Sequence, residues 1–298
     1  MFTIGADPEF MLTDKDCQLK SAIGILPKKT NNISAYYDNV LAEISIKPAD
    51  NKKDFIHNTR IALKGLSKKI NPLKFEVCAS ENYPLNELSD VDARIAGCNP
   101  EWDVYSLKCV LPPEYVIKKT CFRTAGGHIH LGSPILQDPI NVFNTIRMMD
   151  LFIAIPSIFL DKDPTSIERR KIYGHAGYHR ITDYGLEYRS LGNFWLSSPE
   201  HVALIYDLSE FVLDFVEKKH HEKFWSYNEE TEEDDVSKAH KCFGYDVKSL
   251  IKCINFCDTR KSKKFMTFIS HYLPEEILKN IDKLSLDKCH DPYCSWDL

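Results

Sequence analysis

The run Ala125-Gly126-Gly127-His128-Ile129-His130-Leu131-Gly132 alternates polar and apolar residues between glycines. An extended segment sends successive side chains to opposite faces, so His128 and His130 point one way and Ile129 and Leu131 the other, into a core. Two imidazoles on one face of a buried strand are costly unless something binds them. Neutral imidazole is a common metal ligand, and a charged substrate is the second candidate. Two core histidines bonded to neighbouring carbonyls are the plain alternative. The glycines allow another backbone or a ligand to approach closely.

Three further segments repeat the pattern with carboxylates. In Phe2-Thr3-Ile4-Gly5-Ala6-Asp7-Pro8-Glu9-Phe10-Met11-Leu12, Asp7 and Glu9 share a face, and Pro8 predicts an edge, a strand start or a bulge. In Asp38-Asn39-Val40-Leu41-Ala42-Glu43-Ile44-Ser45-Ile46, the apolar face is Val40, Ala42, Ile44 and Ile46, with Glu43 on the other. In Tyr184 to Trp195, Glu187 and Arg189 share a face. A half-solvated strand can carry such charges without further meaning. Here the polar members are Asp, Glu, His and Arg, with few of the lysines that guard exposed strand edges. Carboxylates with one or two imidazoles suit Mg²⁺ or Mn²⁺. A set of cysteines or three clustered histidines would have pointed to zinc. One metal site shared by the four strands is the expectation.

Arg169, Arg170, Arg180 and Arg189 follow within about twenty residues. A guanidinium matches carboxylate and phosphate oxygens in a planar fork. Beside acidic metal ligands, these arginines predict an anionic substrate held against a cation, as phosphoryl transfer requires. Surface ion pairs to Asp161, Asp163, Glu168 and Asp183 are the competing reading, strongest for Arg169.

The ordered pieces resemble the phage-type carboxylate–amine ligase (amidoligase) family, related to glutamine synthetase and glutamate–cysteine ligase. They are Gly5-Ala6-Asp7-Pro8-Glu9-Phe10, Asp38-Asn39-x-x-x-Glu43, Gly126-Gly127-His128-Ile129-His130-Leu131-Gly132, Arg169-Arg170-x-x-Tyr173-Gly174-x-Ala176-Gly177, Arg180, and Tyr184-Gly185-x-Glu187-Tyr188-Arg189. The resemblance implies an α+β fold, a curved antiparallel β-sheet forming a glutamine-synthetase-like half barrel, with helices packed on its outer face and a helical C-terminal region. It implies an ADP-forming ligase that joins a small-molecule or peptide carboxylate to an amine through an acyl phosphate, with ATP and Mg²⁺ (or Mn²⁺). Glu9, Glu43, His130 and Glu187 are the implied metal ligands, and Asp7, His128 and Arg169 are neighbours that bind substrate or nucleotide. Arg170, Arg180 and Arg189 are implied around the phosphates or the substrate carboxylate. A metal-dependent amide hydrolase using the same His and Glu cluster, or a non-enzymatic binder of an anionic ligand, are the alternatives.

The chain lacks a Gly-x-x-x-x-Gly-Lys-Ser/Thr loop, a Gly-x-Gly-x-x-Gly before a helix and the protein kinase signatures, so nucleotide would be held by metals, arginines and sheet side chains. Its 298 residues are 43% apolar and 27% charged, as in soluble globular proteins. The net charge of −5 gives no global attraction to nucleic acid. The start MFTIGADPEF has neither the basic region nor the apolar run of a signal peptide. The apolar stretch Leu151 to Leu160 is too short to span a bilayer and contains Pro156. A cytoplasmic protein is expected, in the host cell if phage-encoded, with no membrane partner; the oligomeric state is left open. The ten cysteines are then reduced thiols, although Cys253-x-x-x-Cys257 and Cys289-His290-x-x-x-Cys294 could frame a small zinc site.

Residues 1–228 are expected to form the catalytic domain, and 229–298 an acidic loop with a helical extension. Helices are predicted over 51–70, over 141–160 with a bend at Pro156, from the Ser198 cap with Pro199 at the first helical position, and over much of 247–284.

Overall fold

Short alternating strands with one apolar face need partners close in sequence, and antiparallel hairpins provide them. The computed structural model describes residues 2–30, 33–95, 101–224, 246–286 and 291–298. Its first strands are β1 (Thr3–Ala6), β2 (Glu9–Thr13), β3 (Leu19–Lys20), β4 (Ala35–Asp38), β5 (Leu41–Ile44) and β6 (Ile46–Ala49). After helix α1 (Lys52–Ile70) come β7 (Lys74–Glu76), β8 (Ser80–Asn82), β9 (Glu101–Asp103) and β10 (Lys108–Val110). Beyond α2 (Glu114–Lys119) lie β11 (Phe122–Thr124) and β12 (Ile129–Gly132). The last strands are β13 (Tyr178–Thr182) and β14 (Gly185–Tyr188). A seven-stranded antiparallel sheet runs β10-β9-β13-β14-β12-β1-β6, and a second runs β3-β2-β5-β4 with β7 beside β2. Together they curl into a half barrel in a mixed helix and strand fold.

The joint between the sheets is Asp7-Pro8. β1 ends at Ala6 in the large sheet and β2 begins at Glu9 in the small one. Pro8 has no N–H to give a ladder, so the chain changes sheet there without stranding a donor.

Helices cover the outer face. α1 is capped by Asn51, whose side chain accepts from Asp54 N–H, and it buries Phe55, Leu63, Leu66 and Ile70 against β6. Such a cap is worth about 1 kcal/mol. α3 (Pro139–Met149), a π-turn over Asp150–Ala154 and α4 (Ile155–Leu160) follow one another without a break. Proline clashes with the carbonyl four residues back, and the wider π-turn before Pro156 relieves that clash. The continuous segment Pro139–Leu160 is therefore longer than its apolar core suggested. It is long and apolar enough to cross a membrane by length and composition, but 78% of its most apolar window is buried inside the protein. Past the short α5 (Ser166–Arg169) comes α6 (Pro199–Glu217), against which it packs and which starts at the Ser198 cap with Pro199 in its first turn.

The chain after residue 246 forms α7 (Val247–Asn255), α8 (Thr259–Ile269), α9 (Glu275–Leu286) and α10 (Pro292–Trp296). α8 packs on α4, and α9 on α6. The acidic run 229–235 lies outside the described residues, as do Cys289 and His290. Cys253, Cys257 and Cys294 are free thiols.

One polar contact ties the helical layer to the sheet. Asp150 is wholly buried and accepts hydrogen bonds from Tyr188 Oη of β14 (2.6 Å) and Tyr105 Oη (2.8 Å). Burial pushes its carboxyl up to about 7, although both tyrosines and Arg170 oppose the shift. A carboxyl raised in the folded state contributes stability that is complete below its unfolded pKa and is lost as pH climbs through the folded value. The wild-type unfolding midpoint should therefore fall between pH 5 and pH 8 by about 3 °C more than that of Asp150→Asn, measured by thermal melts. Parallel melting curves across that range would dismiss Asp150 as the source.

Candidate metal and ligase site

The inner face gathers its polar residues in two transverse rows. In the large sheet, His130 of β12 lies opposite Glu187 of β14, and Glu187 lies opposite Arg180 of β13. In the small sheet, Glu9 of β2 lies opposite Glu43 of β5, and Glu43 lies opposite Tyr36 of β4. The chain crossing at Pro8 thus sends Asp7 to one row and Glu9 to the other.

Oxygen or nitrogen atoms of Asp7, His130 and Glu187 lie within 4.8 Å of one another, and so do oxygens of Glu9, Asp38 and Glu43. The single shared site expected from sequence becomes two adjacent candidate cation sites, with Asp38 as a member that sequence reasoning had not singled out. Asp7 Oδ1 is 2.9 Å from His130 Nε2 and 3.3 Å from His128 Nδ1. Among the described residues, neither Asp7 Oδ1 nor His130 Nε2 has a partner in hydrogen-bond geometry, although both atoms are buried. These donors surround a point rather than pairing off. Tyr184 Oη meets Nδ1 of His130, which leaves Nε2 toward the carboxylates. Metal-bound histidines are commonly oriented through the other ring nitrogen in this way.

The electrostatics show a shortage of positive charge. Burial, with Asp38 and Asp7 nearby, raises Glu9 to about 7. Burial and Asp7 raise Glu187 to about 7 as well. Burial, Asp7 and Glu9 push Glu43 far above the usual carboxylate range, and burial raises Asp38. Asp7 moves the other way. Burial alone would raise it, but the His130 and His128 imidazoles hold it well below its ordinary value. Burial lowers His130, yet Asp7 and Glu187 outweigh that and raise it. His128 is pulled down to about 3 by burial and by Arg189. A dication fits this donor set: oxygen and imidazole nitrogen without thiolate, crowded enough that mutual repulsion of the carboxylates favours the uptake of positive charge.

Arg189 is 1% exposed and fixed on both sides. It donates to Glu101 Oε2 (2.7 Å) from Nε and to Glu187 from Nη1, with His128 Nδ1 3.3 Å away. Glu101 lies on β9, far in sequence from the other members. Arg180 reaches Glu187 Oε2 at 3.3 Å and remains about one-fifth exposed, so its guanidinium stands at the open side of the row.

The other two arginines are placed differently from the expectation that they face an anion. Arg169 donates to the carbonyls of Ala125 (2.9 Å), Ser190 (3.2 Å) and Leu191 (2.9 Å), clamping the β12 approach to the segment after β14. Arg170 donates to Gly174 O (3.1 Å) and lines a cavity with Asp161 and Cys257 that contains no member of either cluster. Both guanidiniums hold main chain.

Backbone contacts fix the rows. Gly126 N–H donates to Glu9 Oε2 (2.6 Å), and Glu9 N–H returns to Gly126 O (2.9 Å). Gly127 passes so near Gly192 that a Cβ would stand 2.2 Å from its carbonyl oxygen. Asn39, with φ of 54°, turns the β4–β5 hairpin that carries Asp38 and Glu43. Asparagine tolerates that left-handed backbone. Its amide donates to Ala93 O (2.9 Å) and Ile95 O (2.8 Å), and Arg123 Nε donates to its Oδ1 (2.8 Å). A cavity of about 210 Å³ opens beside Asp38 and Glu43, with Lys29 at its wall.

Residues 120–262 match the family model described as Phage phiEco32-like COOH.NH2 ligase-type 2. No curated protein matches the chain. Among solved structures, a bifunctional glutathione synthetase from Pasteurella multocida superposes with a TM-score of 0.46 at 10% identity, covering 99% of this chain and 48% of that one. The chain spans about half the length of that protein, and a likeness at this level says nothing about activity. The matched span includes the His128/His130 strand, Arg180, Glu187 and Arg189, and it supports the likeness to the phage-type carboxylate–amine ligase family over just under half of the chain.

Proposed function

We propose that this protein is an ATP-dependent carboxylate–amine ligase, releasing ADP and phosphate, built on a half barrel of the glutamine-synthetase type. The observation that carries this reading is the pair of adjacent carboxylate clusters on the inner face, of which His130 and Glu187, with Arg180 and Arg189 bracketing Glu187, lie in a span whose family is named for that chemistry. Residues 1–228 would carry the reaction, and the helical region within 229–298 would support it from outside the sheet.

Asp7, His130 and Glu187 would hold one Mg²⁺ or Mn²⁺, and Glu9, Asp38 and Glu43 a second. Bound there, the cations would clamp the ATP phosphates and offset the charge of the transferring group. A carboxylate oxygen of the acid substrate attacks the γ-phosphorus, and the bond to ADP breaks. The amine nitrogen then attacks the acyl carbon, phosphate leaves with the bonding electrons, and the ammonium proton passes to a base. In this scheme Arg189 holds Glu187 and His128 in place, while Arg180, at the open side, meets an anionic oxygen of nucleotide or acid. Small-molecule or peptide acids and amines are the substrate classes that suit the site.

Incubation with MgATP, a panel of amino acids and diamines, and a coupled ADP readout tests the proposal. ADP should accumulate only when acid and amine are both present, and Glu187→Gln or Glu43→Gln should lower the rate by roughly a hundredfold or more. Absence of nucleotide binding by calorimetry in Mg²⁺, or amide cleavage without nucleotide, would defeat the ligase reading.

The arginines should separate by role. Arg180→Ala should leave the melting temperature within about 2 °C of wild type while cutting kcat/KM for ATP tenfold or more. Arg169→Met strands several buried carbonyls, so it should cost about 3 kcal/mol or more of stability by denaturant titration. The reverse pattern would mean that Arg169, not Arg180, faces the substrate.

A further inference from the structure

The Glu9–Asp38–Glu43 cluster differs from its neighbour in one respect. A lysine of the same chain already reaches into it. Lys29 Nζ lies 3.0 Å from Glu43 Oε1 and 4.7 Å from the centroid of the Tyr36 ring, and Tyr36 Oη donates to the same carboxylate oxygen at 2.7 Å. Carboxylate below and aromatic face alongside make a good ammonium site. Glu43 is buried, whereas the Lys29 side chain is 60% exposed and comes from the segment just before β4. The long Lys29 stem is free to swing into solvent, and a dication entering the cluster would replace the charge that Lys29 gives Glu43. Arg189, beside the other cluster, is almost wholly buried and bonded to two carboxylates, and has no such freedom.

A single ammonium cannot satisfy three carboxylates. A dication at their centre can, because the three oxygens already lie within 4.8 Å of one another, close to the span of one hydrated-size oxygen shell. Lys29 and a dication then contend for the same Glu43 carboxylate.

Resting on the two-site reading above, we propose that Lys29 is a tethered counter-ion that occupies the Glu43 side of the second cation site and is expelled when a divalent cation enters. Lys29 therefore weakens cation binding at the Glu9–Asp38–Glu43 site and leaves the Asp7–His130–Glu187 site unaffected.

Mn²⁺ alone is the probe, titrated by calorimetry and by the loss of its free-ion electron paramagnetic resonance signal. The wild type should show two classes of site, and Glu43→Gln should delete one of them. Lys29→Gln should tighten that Glu43-dependent class by roughly tenfold and leave the other unchanged. Acetylation of Lys29 by acetic anhydride, read by mass spectrometry against Lys28 as internal standard, should rise severalfold at Mn²⁺ concentrations that fill the Glu43-dependent class. An unchanged or weakened Glu43-dependent class in Lys29→Gln, or acetylation indifferent to Mn²⁺, overturns the role given to Lys29 while leaving two cation sites intact. A protein that binds no Mn²⁺ at all overturns the two-site reading itself, and this proposal with it.

Discussion

Negative charge packed onto the inside of a curled sheet is the constraint around which this molecule is arranged. Glu9, Glu43, Glu101 and Glu187 are all buried, and Asp7 and Asp38 stand beside them. A carboxylate taken out of water without a partner is expensive enough to hold its proton instead. The fold answers this unevenly. Glu101 has Arg189, and Glu187 has both Arg189 and Arg180. Glu9 has one backbone N–H, and Glu43 has a phenol and a mobile lysine. The large-sheet row is thus nearly self-sufficient, and the small-sheet row is short of fixed cations.

That imbalance requires a rigid frame, because crowded like charges would otherwise push their strands apart. Arg169 supplies much of it. Its guanidinium spans carbonyls before β12 and after β14, tying the strand of His130 to the strand of Glu187 without touching either side chain. Gly127 lets those segments approach closer than any side chain would permit. Trp195 Nε1 donates to Gly127 O (3.1 Å) from the other side. On the outer face, Asp150 and Tyr188 anchor β14 to the helical layer, so Glu187 is fixed from behind through its neighbour in sequence.

Much of this could be read from the chain because alternation in a strand is a local property. His128 with His130 and Glu187 with Arg189 follow from a period of two, and the structure does bring His128, His130, Asp7 and Glu187 within reach of one another. The joint at Pro8 was visible as a proline, but not its consequence, since only the pairing of β1 with β12 and of β2 with β5 shows that Asp7 and Glu9 part company. Tyr36 and Asp38 also obey the period of two, opposite Glu43 and Leu41 across a hairpin turned by Asn39, and a reading of that hairpin's register could have found them. Lys29 and Glu101 carry no local signal, because each arrives from a segment whose placement is tertiary. For Arg169 and Arg170, residue type and family motif point toward an anion while both guanidiniums donate to carbonyls in the structure, and sequence has no means of telling the two uses apart.

The division into two rows also bears on why the chemistry would need both. A reaction that joins two substrates around a transferred phosphoryl group must hold a nucleotide and an acid at once, each anionic, within bonding distance. One cation between two anions would be shared and displaced by whichever bound more tightly. Two sites of unequal fixed charge avoid that contest. The row already balanced by Arg189 and Arg180 presents guanidinium to an incoming anion, whereas the row with its surplus of carboxylate presents a cation only after one has entered. The unequal distribution of arginine between the sheets, set by β13 and β14 lying in one and not the other, is what would give two such sites different work.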